Sequence, residues 1–67
     1  MHFFSALQVA EAFYKRALEI RETTLGVFHP ETVRTMEALS EVYFKLGQTA
    51  DAEKLESRAL DIRTRKR

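Results

Sequence analysis

Cysteine is absent from this 67-residue chain, and proline and glycine are rare, with one and two residues respectively. Without cysteine, neither a disulfide framework nor a thiolate metal site can stabilise so small a domain. The scarcity of proline and glycine leaves few places for turns, so the composition favours long helices over a loop-rich fold. Stability must therefore come from contacts between helices or from association with another chain.

Long apolar runs are also lacking. No stretch approaches the length of about 20 apolar residues that is needed to cross a bilayer, and the first ten residues do not resemble a secretory signal. We therefore predict a cytoplasmic protein with no membrane partner. Phosphate-binding glycine loops, nucleophile motifs and HExxH pairs are missing, and His2 and His29 are isolated. The sequence thus predicts no enzyme, no metal and no other cofactor.

Charge is unevenly distributed along the chain, although the net charge is only +1. Residues 1–57 carry six basic and nine acidic side chains, whereas residues 58–67 carry five basic and one acidic. Four of the last cations form a basic tail: Arg63, Arg65, Lys66 and Arg67. Such a tail is typical of a nucleic-acid or nuclear-import adaptor, and it offers a route to the nucleus. We favour a solvated helix end whose cations complement the helix dipole, because no aromatic residues alternate with them to stack on bases.

An internal repeat is the main feature that the chain does contain. AEAFYKRALEIR at residues 10–21 aligns with AEKLESRALDIR at residues 52–63, with seven of twelve residues identical at an offset of 42. A period of about 20 to 50 residues is typical of repeat proteins, in which each unit buries its apolar face against its neighbours. Each copy has an apolar stripe at helical spacing: Ala10, Phe13, Ala17 and Ile20, then Ala52, Leu55, Ala59 and Ile62.

Glycine and proline divide the chain into three predicted helices. Gly26 follows the end of the first periodic pattern, Pro30 suits the first turn of a second helix, and Gly47 can end that helix. The predicted helices cover about residues 3–25, 30–46 and 49–66. Because their connections are short, the helices should be antiparallel neighbours. The predicted fold is therefore all-α, with a single domain over residues 1–67.

The run ALSEVYFKLGQTADAEKLESRALDI at residues 38–62 resembles a tetratricopeptide repeat, which is a pair of antiparallel helices. The residues that match its pattern are Leu39, Ser40, Tyr43, Gly47, Ala52, Leu55 and Ala59. The 42-residue period and the residues Leu25, Gly26, His29 and Pro30 resemble the kinesin-light-chain type of this repeat. The resemblance implies a fragment of a right-handed solenoid that reads helix B, helix A, helix B. It also implies a non-enzymatic scaffold that binds a protein or peptide.

A peptide-binding groove on the second helix is a further implication of this resemblance. The residues that it assigns to the groove are Arg34, Glu37, Ala38, Glu41, Phe44 and Lys45. Glu37 and Glu41 are like charges four residues apart, which slightly destabilises a helix. They belong either to a solvated face relieved by nearby cations or to a groove for a basic or neutral peptide.

The first copy lacks its own first helix, because counting back 42 residues from Tyr43 reaches Met1. The apolar face of helix 1 therefore has no predicted partner, and something else should cover it. We predict self-association, for example as a dimer, with exchange of helix 1 between chains as one route. The predicted interface residues are Phe3, Phe4, Phe13, Ala17 and Ile20. The alternatives are that the two N-terminal phenylalanines fold over this face within one chain or fray, and that the chain is a truncated repeat product without a selected role.

Overall fold

The computed structural model describes residues 4–65 and contains three α-helices there. They are α1 (Ala6–Thr24), α2 (Pro30–Lys45) and α3 (Thr49–Arg65). α2 lies in the middle and contacts both α1 and α3, whereas α1 and α3 have few direct contacts. None of the helices in the described residues has the length and apolar character that crossing a membrane requires. The predicted all-α fragment of a helical repeat is confirmed.

α1 begins at Ala6 rather than at about residue 3, because Ser5 caps it. The Ser5 hydroxyl accepts a hydrogen bond from the Gln8 backbone N–H at 3.1 Å. In return, the Ser5 backbone N–H donates to the side-chain oxygen of Gln8 at 2.9 Å. This capping box pairs two N–H groups that the helix itself leaves free, so α1 starts directly after Ser5. Phe3, which the sequence placed in the helix, lies outside the described residues.

Glycines in the left-handed conformation follow α1 and α2. Gly26 has a φ of +90° and donates its N–H to the Arg21 carbonyl at 3.1 Å. Gly47 has a φ of +83° and donates to the Phe44 carbonyl at 3.1 Å. Residues with a Cβ rarely adopt such angles, so glycine is required for both chain reversals.

His29 and Pro30 start α2 immediately after the first connection. His29 is the N-cap, and its Nδ1 accepts a hydrogen bond from the Glu31 backbone N–H at 3.1 Å. Pro30 occupies the first helical turn, where its missing N–H costs no hydrogen bond. Only a few residues separate α1 from α2, so the two helices are held as antiparallel neighbours in one chain.

The hydrophobic core surrounds Met36 and Leu39 of α2, which are 0% and 2% exposed. The cluster of buried residues draws on all three helices and comprises Leu18, Val33, Met36, Leu39, Leu55, Ala59 and Ile62. In the described part of the chain, every buried side-chain nitrogen or oxygen has a hydrogen-bond partner. α2 is therefore the central element, because both other helices bury their apolar residues against it.

Polar contacts tie α1 to its neighbours. The Arg21 guanidinium donates a 2.8 Å hydrogen bond to the Thr35 hydroxyl of α2. The carboxylate of Glu22 forms an ion pair with Arg58 of α3 at 2.7 Å. α1 is thus attached to the α2 and α3 of its own chain.

Candidate functional site

The apolar stripe of α3 is buried against α2. Its four residues Ala52, Leu55, Ala59 and Ile62 are between 0% and 8% exposed. Ala52 and Ala59 are small enough to bring the two helix backbones close together. In the second copy of the repeat, the stripe therefore serves as part of the core.

The equivalent stripe of α1 is open. Phe13 is 64% exposed and Ile20 is 50% exposed, although they correspond to the buried Leu55 and Ile62 of α3. α1 instead contacts the core through Leu18, which is 8% exposed, and through neighbouring Tyr14. α1 thus buries the side that contains Leu18 and leaves the stripe that contains Phe13 and Ile20 open. Among residues 4–65, no helix covers this stripe.

We call Val9, Phe13, Arg16, Ala17 and Ile20 the α1 face. Val9 is 59% exposed and precedes Phe13 by one helical turn, and Arg16 lies between Phe13 and Ile20 at helical spacing. The positive charge in this row comes from Arg16. Within residues 4–65, no carboxylate lies at ion-pair distance from it. The α1 face therefore consists of three exposed apolar residues and one cation around the half-buried Ala17.

Phe4 does not cover Phe13 or Ile20 of the α1 face. It is 76% exposed and lies near the start of the helix, beside Gln8 and Val9. Phe13 and Ile20 retain their exposure in its presence, so capping of the face by Phe4 within one chain is not observed. Phe3, the other predicted member of the interface, lies outside the described residues.

A groove of about 740 Å³ runs between α2 and α3. We call it the α2–α3 groove, and its lining comprises Glu37, Ser40, Glu41, Phe44, Glu53, Glu56, Ser57, Ala59, Leu60 and Arg63. Leu60 and Phe44 are its exposed apolar residues, at 59% and 40%. Ser40 and Ala59 are small and buried, so they leave space between the two larger side chains.

The α2–α3 groove is acidic, with four carboxylates and one cation in its lining. Glu37 forms an ion pair with Arg63 across the groove. Glu41 lies 3.9 Å from Lys45, but both side chains are largely exposed, so this pair is weak. Glu53 and Glu56 have no cation at ion-pair distance within residues 4–65. The groove therefore presents net negative charge beside apolar side chains.

The structure brings only part of the predicted groove set together. Glu37, Glu41 and Phe44 line the α2–α3 groove. Arg34 pairs with Glu31 of the preceding helical turn at 2.9 Å, and Lys45 is absent from the lining. Sequence reasoning missed the α3 half of the groove.

A signal for the α3 half was present in the internal repeat. At an offset of 42, Leu60 corresponds to Leu18, and Glu56 corresponds to Tyr14. In α1 these positions contact α2, so in α3 the same positions mark a face that can take another helix. The repeat therefore predicts a contact surface around Leu60.

The basic tail is partly neutralised by neighbouring carboxylates. Arg63 pairs with Glu37, and Arg65 pairs with Asp61 at 3.3 Å, one helical turn away. Lys66 and Arg67 lie outside the described residues. Two of the four predicted tail cations thus lie beside the chain's own carboxylates, although the Arg65–Asp61 pair is largely exposed and therefore weak.

A smaller groove of about 290 Å³ lies between α1 and α3, next to the core residues Leu39 and Leu55. Tyr43 lies in it, and burial is the largest cause of the raised pKa of its phenol. Lys15 opposes this rise in pKa, whereas Glu11 and Asp51 add to it. The lining contains three cations and three carboxylates, so it has no preference for a ligand of one charge.

Two outer helices that each bury one side on a central helix and leave another side open define a helical-repeat module. The family model for the tetratricopeptide repeat matches residues 6–65, and the chain therefore belongs to the tetratricopeptide-repeat family. Searches of curated proteins and of solved structures found no significant match. The family is one of protein–protein interaction modules that are typically non-enzymatic. Its kinesin-light-chain type stays a prediction from the sequence.

Proposed function

We propose that the chain is a protein-binding scaffold unit that self-associates through the α1 face. The main support for this proposal is the difference in exposure between the equivalent stripes of α1 and α3. The stripe is at most 8% exposed in α3, whereas Phe13 and Ile20 of α1 are 64% and 50% exposed. A second chain that covers the α1 face would give this stripe the environment that α2 gives to α3.

The energetics predict association that is weak and depends on concentration. Complete burial of one Val, Ile or Phe side chain contributes about 1.5–3 kcal/mol. The face exposes three such residues, Val9, Phe13 and Ile20, while bringing two chains together costs roughly 4–15 kcal/mol in lost freedom of motion. The two quantities are of similar size, so apolar burial on this face alone gives no tight dimer.

The test compares Phe13→Asp with Phe28→Asp. Both phenylalanines are similarly exposed, at 64% and 61%, but Phe28 lies in the connection between α1 and α2, away from the α1 face. We expect Phe13→Asp to abolish the rise of mass with concentration in light scattering, and Phe28→Asp to leave it unchanged. Circular dichroism should show wild-type helicity for both variants in dilute solution. Equal association of Phe13→Asp and wild type would refute the proposal.

A nucleic-acid adaptor acting through the basic tail is the less favoured function. Two of its cations, Arg63 and Arg65, already pair with carboxylates, and the α2–α3 groove beside Arg63 is acidic. A negative surface next to the tail repels phosphates. Strong, salt-dependent binding of the chain to single-stranded or duplex nucleic acid that is lost on deletion of the tail would favour this alternative.

A further inference from the structure

The α1 face and the α2–α3 groove carry opposite charge and are both open. We infer that the chain self-associates head to tail, with the α1 face of one copy docked in the α2–α3 groove of the next. This inference rests on the proposed function and names the surface that receives the α1 face. The repeat, the charges and the arrangement of the helices each support it.

The internal repeat shows that the groove side of α3 is a helix-contact surface. Leu18 of α1 is buried because α2 lies against it, and its equivalent in α3, Leu60, is 59% exposed. Leu60 lines the groove together with Phe44 of α2, around the small buried residues Ser40 and Ala59. A helix with exposed apolar residues fits such a site, and α1 offers one in every copy.

Electrostatics favour this pairing over either symmetric one. In an antiparallel pair of two α1 faces, Arg16 lies near the middle of the row Val9 to Ile20, so the two Arg16 side chains approach each other. In a pair of two grooves, Glu53 and Glu56 of one chain meet the same carboxylates of the other. Each surface therefore repels its own copy, and each attracts the other surface.

The arrangement of the helices leaves both surfaces free at once. The groove is lined by α2 and α3 alone, whereas the α1 face belongs to α1, on the side away from its contact with α2. A copy that fills one groove therefore keeps its own groove open for a third copy. Such a heterologous contact produces either an open chain of copies or a closed ring, rather than only a two-fold dimer.

Mixing two variants tests the inference directly. Phe13→Asp disables the α1 face and leaves the groove, and Leu60→Asp disables the groove and leaves the α1 face. We expect each variant alone to lose self-association by at least tenfold in Kd. An equimolar mixture should form a complex of two chains and stop there, because one intact face and one intact groove remain. Sedimentation of each variant and of the mixture gives these masses.

The other outcomes separate this inference from the proposed function. If Leu60→Asp associates like the wild type and Phe13→Asp does not, the α1 face is an interface but the groove is not its partner, so head-to-tail docking is wrong. If Phe13→Asp associates like the wild type, both proposals are wrong. Masses of one chain for the wild type at every concentration would likewise overturn both.

If either aspartate variant loses its helicity, a pair of charge-reversal variants provides a second test. Arg16 and Glu56 are both exposed and without an ion-pair partner within residues 4–65, so their substitution should preserve the fold. We expect Arg16→Glu alone and Glu56→Arg alone to weaken association severalfold. Their mixture should recover it, because the unchanged face of one variant meets the unchanged groove of the other, and the reversed face meets the reversed groove. Failure of the mixture to recover, with both variants folded, would contradict head-to-tail docking.

Discussion

α1 and α3 contain nearly the same motif, RALEI and RALDI, but they bury different sides of it. α3 buries the stripe that contains Ala59 and Ile62, and leaves Leu60 exposed. α1 buries Leu18, the equivalent of Leu60, and exposes Ile20, the equivalent of Ile62. The helix type that α1 and α3 share therefore has two sides that can contact other helices. In this chain α2 covers one side of each, so burial depends on the neighbouring helix rather than on the motif.

The largest expected effect comes from making the same substitution at the two equivalent isoleucines. Ile62→Ala should lower the free energy of unfolding by about 2–4 kcal/mol, because it leaves a cavity against α2. Ile20→Ala should change it by less than about 1 kcal/mol in dilute solution, since half of the side chain is already exposed. Urea denaturation followed by circular dichroism measures both. Equal losses would mean that the α1 stripe is covered within one chain.

At the two equivalent leucines of the motif, the substitution in α1 should cost more stability than the substitution in α3, which is the reverse of the isoleucines. Leu18→Ala removes a buried contact with α2 and should cost about 2–3 kcal/mol of stability. Leu60→Ala, at an exposed position, should leave the stability of the monomer within about 0.5 kcal/mol of wild type. The same denaturation experiment applies, with the chain kept dilute. A larger loss for Leu60→Ala than for Leu18→Ala would reverse the assignment of the two sides.

The smallest expected effect is a loss of stability at high pH that depends on Tyr43 of α2, the central helix that both motifs contact. Burial raises the pKa of Tyr43 above the ordinary tyrosine pKa of about 10 in the folded chain, so the unfolded chain loses this proton first as pH rises. The contribution of Tyr43 to stability is complete below about pH 10 and is lost as pH rises towards its folded pKa. Wild type should therefore lose more stability than Tyr43→Phe between pH 9.5 and 11, roughly the range set by ordinary tyrosine ionisation. Parallel losses in the two proteins would show that the Tyr43 phenol titrates alike in both states.

Much of the fold follows from local signals in the sequence. The backbone angles that proline and glycine favour are properties of the residues themselves. The sequence alone therefore predicts the helix ends near Gly26, Pro30 and Gly47. The α3 stripe could be read from helical spacing alone. The start of α1 was harder, because the apolar N-terminal residues extended the periodic pattern beyond the capping box at Ser5.

The candidate site was less predictable because it depends on contacts between distant residues. α1 is apolar on two sides, and helical spacing does not say which side meets α2. The pairs Glu22–Arg58 and Glu37–Arg63 join residues that are 36 and 26 positions apart. The acidic α2–α3 groove is likewise made from two helices. The internal repeat marks Leu60 as a contact position, but which α2 residues lie opposite it depends on how the two helices pack.

Sedimentation of the wild-type chain over a wide concentration series shows whether a second copy covers the α1 face. We expect association, with a mass of one chain at the lowest concentration and a steady rise through two and more chains as concentration increases. A mass of one chain throughout, with full helicity, would contradict it.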